Sequence, residues 1–195
     1  MELLLAAAAG FACGMLPNAV LVAKLFRLPD PRGYGSGNPG ATNVMRSGNR
    51  LAGRLVFVLD CAKGLLPALA CGWLLAAEGA ASLAALGAVA GHVWSPLLRF
   101  KGGRGVATGL GGFYAIDWRL GLFATAMWLL VYLMTRIASL ASVAAVVATM
   151  LLASWLHPFG SYPAVAVAGM AMIITIRHRQ NLKKLAEGTE HSFKK

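Results

Sequence analysis

Charge is what this sequence has least of. Asp, Glu, Lys and Arg make up 13% of its 195 residues, and only seven residues are acidic. A soluble domain usually carries about a quarter of such residues, so an ordinary water-soluble fold is excluded. From Ile137 to Ile176 the four are absent altogether, over 40 consecutive residues. Crossing a bilayer takes roughly 20 apolar residues, so this stretch alone is long enough to cross twice. Cysteine is also scarce. Cys13, Cys61 and Cys71 are odd in number, lie in apolar segments and show no metal-ligand spacing. That argues against a disulfide framework or a thiolate metal site and leaves buried free thiols. The N-terminal MELLLAAAAGFACG lacks the basic start of a signal peptide, carries Glu2 instead, and runs on apolar to Ala23. It reads as an uncleaved first helix.

Apolar residues are abundant, at 58%. Broken by charged and Gly/Pro-rich connections, they predict an all-α, polytopic membrane protein with residues 1–195 as one membrane-embedded domain. Seven helices are expected, at about 3–25, 54–77, 80–98, 105–116, 119–135, 137–156 and 162–177. The segment 105–116 is short and rich in glycine (Gly105, Gly109, Gly111, Gly112), as a half-span or re-entrant helix would be if protein or a wet cavity covers it. Ala84, Ala85, Gly87, Ala88 and Gly91 suit close helix–helix contact.

Seven spans place alternate connections on opposite sides. Sixteen of the 18 Lys and Arg then fall on one side: in the first, third and fifth connections and the C-terminal tail. The other side has Arg119, and Lys63 lies within the second helix. By the positive-inside rule the N-terminus is outside and the C-terminus cytoplasmic. A net charge of +11 also attracts anionic lipid, which accounts for Lys194 and Lys195. Nucleic acid is excluded as a partner, since no soluble basic domain exists to carry it.

Within the first connection, GSGNPG (Gly35–Gly40) fits the dinucleotide fingerprint G-x-G-x-x-G. That fingerprint has meaning only between a strand and a helix. Here it follows a helix and the bend Pro29-Asp30-Pro31, and Pro39 removes one backbone donor, so the nucleotide reading fails. What remains is a loop suited to a small anion. Glycine lets backbone N–H groups approach closely; Ser36, Asn38, Thr42 and Asn43 supply neutral donors, and Arg46 a forked cation that matches phosphate. FKGGRGVAT (Phe100–Thr108) repeats the chemistry, with Lys101 and Arg104 among glycines at the start of a helix whose dipole favours an anion. GxxxxGK[ST] cannot be placed on it, so it is not a Walker A loop. RHRQN (Arg177–Asn181) follows the last helix. All three clusters fall on the cytoplasmic face, and together they suggest a phosphate-bearing substrate.

GSGNPGATN, GHVWSPLLRFKGGRGVAT and RHRQNLKKLAEGTE, in this order and spacing, resemble the three signature segments of the acyl-phosphate-dependent glycerol-3-phosphate acyltransferases of bacterial membranes. The likeness covers essentially the whole chain. It implies a seven-helix enzyme of the inner membrane, its site facing the cytoplasm and needing no cofactor or metal. The enzyme would move a fatty acyl group from acyl phosphate to the 1-hydroxyl of glycerol 3-phosphate, releasing lysophosphatidic acid and phosphate. Ser36, Gly37, Asn38, Thr42, Asn43, Arg46, Lys101, Gly102, Gly103 and Arg104 would bind substrate, with His178 and Asn181 at the reaction centre. The chain departs from the family pattern at Arg104, where Lys is common, and at Gln180, where an acidic residue is often found. The first change keeps the charge; the second leaves the role of position 180 open.

Acyl phosphate is already activated, so positioning two anions and neutralising their charge is the main task. The pattern of His followed by Asp after four residues is absent at His92, His157, His178 and His191, and no Ser/His/Asp arrangement suggests itself. Direct transfer is the economical mechanism, with the hydroxyl proton going to a substrate phosphate oxygen or to His178; that histidine could equally be a phosphate ligand. His92 reads either as a structural histidine or as a site residue. Asp60 and Lys63, three apart on one helix face, read as a buried pair orienting the first connection, with direct catalysis as the alternative. His157 belongs to an outer turn, His191 to a solvated tail, and Trp94, Trp118 and Trp155 to the membrane interfaces. A transporter for a small organic phosphate is the alternative, but no inverted repeat is visible and the strong polar groups share one face.

The topology has a direct test. A membrane-impermeant thiol reagent added outside should label engineered cysteines near Glu78 and Asp117, but not those near Ser36 or Arg104. Labelling of both sets would end the one-sided arrangement.

Overall fold

The computed structural model describes residues 1–190; His191, Lys194 and Lys195 lie outside the described residues. Among the described residues the fold is all-α, without strands. Ten helices follow in order: α1 (Glu2–Gly14), α2 (Asn18–Leu25), α3 (Ala41–Met45), α4 (Arg50–Leu74), α5 (Ala80–Val93), α6 (Val106–Ile116), α7 (Trp118–Thr135), α8 (Ala138–Leu156), α9 (Tyr162–Arg177) and α10 (Arg179–Ala186). A 3₁₀ turn at Pro96–Leu98 extends the third apolar segment. Five segments are long and apolar enough to span a bilayer: Glu2–Leu25, Arg50–Leu74, Ala80–Leu98, Trp118–Thr135 and Ala138–Leu156. α6 and α9 are shorter apolar helices.

The expected first helix, 3–25, is in fact broken. Pro17 has no N–H to donate and its ring opposes a continuous helix, so α1 stops at Gly14 and α2 begins at Asn18. A break in hydrocarbon leaves carbonyls that water cannot reach. Ser95 Oγ donates to the Met15 carbonyl at 2.6 Å and Lys63 Nζ to the Leu16 carbonyl at 2.9 Å. The buried Asp60–Lys63 pair, 2.9 Å apart, therefore attaches to this break through Leu16 and Asn18, whereas it was expected to orient the first connection. Two helices lie outside the expected seven: α3 within the first connection and α10 after the last span.

α5 is the central post, packed against α1, α4, α6 and α9. A Cβ on Gly10 or Gly14 would collide with the backbone of Ala84 or Ala88, and one on Gly87 or Gly91 with that of Ala7 or Phe11. The two backbones thus meet directly, with small residues four apart on both helices, where dispersion and not hydrophobic exclusion drives association in lipid. α6 has 11 residues, about 17 Å at 1.5 Å per residue, roughly half the hydrocarbon core. Its Thr108, Gly109, Gly111, Gly112 and Phe113 are buried by α4, α5, α7 and α9.

Apolar side chains point outward all round. Trp118 and Trp155 are exposed, as are Leu4, Leu66 and Leu133, while alanine and valine fill the interior. The three cysteines are free, Cys71 buried and Cys13 and Cys61 half-buried. At the end away from the polar loops, Asp117 caps α7 by accepting from the Arg119 N–H at 2.9 Å, and His157 Nε2 lies 3.2 Å from its carboxylate. His157 lies in the turn between α8 and α9, where it was expected.

Candidate functional site

The polar loop before α3 is shaped by one side chain. Asn43 is 1% exposed; its amide donates to the carbonyls of Pro31 (2.7 Å) and Tyr34 (3.1 Å) and accepts from the Ser36 N–H (3.0 Å). Both of its amide hydrogens are thereby committed to the loop, so the donor expected from Asn43 is spent on folding. Gly35 and Gly37 have φ of 59° and 66°, which a side chain adopts only at a cost. Asn43 therefore holds Ser36 in place.

The second polar loop hangs from the end of α5. Gly102 N–H donates to Val93 O at 3.1 Å, Gly103 N–H to His92 O at 3.2 Å, and Arg177 Nη2 donates to the Gly102 carbonyl at 3.1 Å. Arg99 and Phe100 lead into it at φ of 53° and 61°, two consecutive side-chain-bearing residues in the left-handed region. Such backbone persists only where its surroundings over-determine it.

The third polar segment turns from α9 into α10 at His178. Beyond α10, Gly188 (φ 70°) ends the helix and returns the chain. Glu190 Oε1 then accepts from Asn181 Nδ2 at 2.7 Å and from Ser139 Oγ on α8 at 2.8 Å.

These three segments meet around two adjoining cavities. The larger, about 840 Å³, lies within the range of small-molecule sites. Its polar end holds Ser36, Asn38, Thr42, Asn43, Arg46, Arg104, His178 and Asn181, and its apolar body runs between Phe57, Leu110, Phe113, Trp128, Leu129 and Val146. The smaller, about 210 Å³, is lined by Ser36, Gly37, Asn38, Lys101, Gly102, Arg104, Arg177, Arg179, Gln180 and Asn181. Ser36, Asn38, Arg104, Gln180 and Asn181 belong to both. Of the residues expected in the site, Gly103 alone lines neither cavity: it sits behind its loop, where a Cβ would strike the His92 ring.

Electrostatically this is a region of crowded cations. Burial pushes the Arg104 guanidinium below its usual range; the Glu190 carboxylate opposes that shift, and nearby Arg46 and Arg177 reinforce it. Arginine stays charged regardless, so an incoming dianion would relieve mutual repulsion. The N-terminus of α6 adds to this, since Gly105, Val106 and Ala107 line the larger cavity where the helix's first N–H groups lack intrahelical partners.

His178, 2% exposed, has its pKa pushed down to about 4, chiefly by burial. The bond to the Ile174 carbonyl opposes that shift, and the Arg104 charge adds to it. Its Nδ1 lies 2.8 Å from that carbonyl, which can only accept, so Nδ1 carries the hydrogen. The neutral ring then keeps a lone pair on Nε2, the tautomer a proton acceptor requires.

Sequence reasoning missed several cavity residues. Arg177 and Gln180 lie inside a quoted motif but were assigned no role. Asp60 and His92, already weighed as structural or site residues, border the larger cavity; Arg50, Arg54, Lys184 and Glu190, which were not, line it too. Their signal was weak, because a charge near a span end serves topology equally well.

An all-α integral membrane protein whose large, mostly apolar chamber adjoins a cationic pocket is the class defined by this fold and site. The profile of the glycerol-3-phosphate acyltransferase family matches residues 4–188, and the chain belongs to that family. It is 46% identical over 191 residues to the glycerol-3-phosphate acyltransferase of Aromatoleum aromaticum, covering 97% of this chain and 96% of that one. With the Laribacter hongkongensis protein of the same description it shares 44% over 185 residues, covering 91% and 89%. The crystal structure of PlsY, an integral membrane glycerol 3-phosphate acyltransferase, is similar in its glycerol 3-phosphate form, with a TM-score of 0.92 and 33% identity over 100% of this chain and 96% of that one. Its lysophosphatidic acid form gives a TM-score of 0.90.

Because His178 titrates near 4 when folded and an unperturbed histidine near 6.5, it stays neutral throughout the range from pH 5.5 to 8. The pH profile of kcat/KM should therefore show no step near 6.5 that belongs to this residue. A step near 6.5 that disappears in His178→Gln would overturn the neutral, Nδ1-protonated assignment.

Proposed function

We propose that this chain transfers a fatty acyl group from acyl phosphate directly to the 1-hydroxyl of glycerol 3-phosphate. The observation that carries this reading is the pair of joined cavities. One is large and mostly apolar with a cationic end; the other is small and polar; Arg104, Ser36, Asn38 and Asn181 line both. An acyl phosphate lays its chain among Phe57, Leu110, Phe113 and Trp128 and its phosphate at the cationic end. Glycerol 3-phosphate occupies the polar pocket among Lys101, Gly102, Arg177 and Arg179, with its free end toward the shared residues. Bringing both substrates together in fixed orientation supplies most of what an activated donor needs.

The 1-hydroxyl oxygen attacks the acyl carbonyl carbon, and the bond from that carbon to the phosphate oxygen breaks. Inorganic phosphate leaves with the electron pair, neutralised by Arg46 and Arg104. The hydroxyl proton passes to Nε2 of His178. Asn181, its amide held by Glu190 at 2.7 Å, orients the acceptor. No step needs a covalent acyl-enzyme, a metal or a cofactor.

We also propose seven spans, with α6 as a half-length span and α9 as the last. The N-terminus lies outside, and both cavities open toward the cytoplasmic face of a bacterial inner membrane. The basic residues of the first and third connections and of α10 support this orientation, since they surround the same cavities.

Arg46 lines the cationic end of the larger cavity. Charge-assisted bonds of its kind are worth roughly 1.5–3 kcal/mol, so Arg46→Ala should lower kcat/KM for acyl phosphate about ten- to hundredfold while the protein still extracts folded into detergent. Unchanged kinetics for that substrate would remove Arg46 from the site.

Two assays on purified protein in detergent separate the mechanism from its competitors. Adding acyl phosphate and glycerol 3-phosphate together should release phosphate and form lysophosphatidic acid; release of neither would favour transport without chemistry. Radiolabelled acyl phosphate alone should leave no hydroxylamine-sensitive label on the denatured chain. Stoichiometric label, lost in Ser36→Ala and chased into product by acceptor, would make Ser36 the nucleophile and overturn direct transfer.

A further inference from the structure

The buried polar cluster behind the second loop has no part in the chemistry above. Asp60 is 2% exposed, and its Oδ1 accepts from Asn18 Nδ2 at 3.0 Å and lies 2.9 Å from Lys63 Nζ. The same oxygen is 3.8 Å from Nδ1 of His92. That ring nitrogen is also 3.2 Å from Oγ1 of Thr108, which is fully buried on α6. The far edge of the ring lies against Gly103 so closely that a Cβ there would collide with Nε2. His92 therefore touches the second loop twice, by its ring on Gly103 and by its carbonyl on the Gly103 N–H at 3.2 Å.

A buried ion pair is expensive to place in a membrane protein and is weak evidence for stability by itself. Here its members reach four elements: the α1–α2 break, α4, α5 and, through His92 and Thr108, α6. The strained Arg99–Phe100 backbone leading into the loop also needs rigid surroundings to persist.

We propose that Asn18, Asp60, Lys63, His92 and Thr108 form a positioning unit for the anion-binding loop. The ion pair and Thr108 orient the His92 ring, and the ring fixes Gly102–Gly103 so that Lys101 and Arg104 face the polar pocket. None of the five needs to touch glycerol 3-phosphate. This inference rests on the assignment of that substrate to the small polar cavity.

The test uses full-length enzyme in detergent. Thr108→Val removes the hydroxyl from His92 at nearly constant volume, and His92→Asn keeps a donor near the Nδ1 position but removes the ring edge. Each should raise KM for glycerol 3-phosphate about tenfold, with kcat changed by less than about threefold, the pattern of lost uniform binding. Thr108→Ser, which retains the hydroxyl, should restore the parental KM. Binding of inorganic phosphate, measured by calorimetry without acyl donor, should weaken in parallel. That second readout stands even if the parent protein fails to use glycerol 3-phosphate, a result that would sink the substrate assignment and not the positioning role. Lower thermal stability with unchanged KM and unchanged phosphate binding would reduce the cluster to scaffold. Failure of both variants to fold would also count against the proposal.

Discussion

In hydrocarbon no water is at hand to satisfy a free carbonyl or N–H, and the rest of this structure depends on how that constraint is met. Most of the chain meets it with helices that bond internally. The exceptions are the break at Pro17, the loop from Arg99 to Gly105, and the half-length helix α6. At the break, Lys63 and Ser95 supply donors from neighbouring helices. At the loop, the end of α5 and Arg177 do so. Irregular backbone inside a membrane protein is tolerated where protein or a wet cavity covers it; here neighbouring helices cover the break at Pro17, and the cavities border the loop and α6.

The same exceptions shape the cavities. A continuous first helix would leave Asn18 without its link to Asp60, and a full-length α6 would carry its N-terminus away from Arg46 and His178. Because α6 starts partway into the bundle, its unpaired N–H groups and Arg104 face the polar end of a chamber whose walls are otherwise apolar. In the reaction proposed above, donor chain and acceptor phosphate occupy adjoining spaces whose contrast in polarity orients both. His178 is kept neutral by its near-complete burial, and its tautomer is set by a helix carbonyl one turn back.

Relatedness and geometry bear on different questions. The match over residues 4–188 settles the family. It says nothing of how Arg177 and Asn181 are held, or why Gly103 must be glycine. Those answers come from contacts: a guanidinium on the Gly102 carbonyl, Glu190 on the Asn181 amide, and the His92 ring occupying the space a Gly103 side chain would need.

The sequence by itself determined the membrane class, the positions of the later spanning helices to within a few residues, and the three segments that surround the cavities. Each of these is local: hydropathy, spacing and glycine-beside-cation patterns need no knowledge of distant partners. It misjudged the first helix because Pro17 inside a long apolar run can kink a helix or break it, and only the donors on α4 and after α5 make breaking affordable. Asn43 looked like a free donor because a side chain's partners 9 and 12 residues away, at Tyr34 and Pro31, are invisible in a list of residue types. The Asp60–Lys63 pair was legible as a pair, through its helical spacing. Its attachment to Leu16, Asn18 and His92 was decided by tertiary structure alone, since those contacts join positions 32 to 47 residues apart and exist only once four helices have packed.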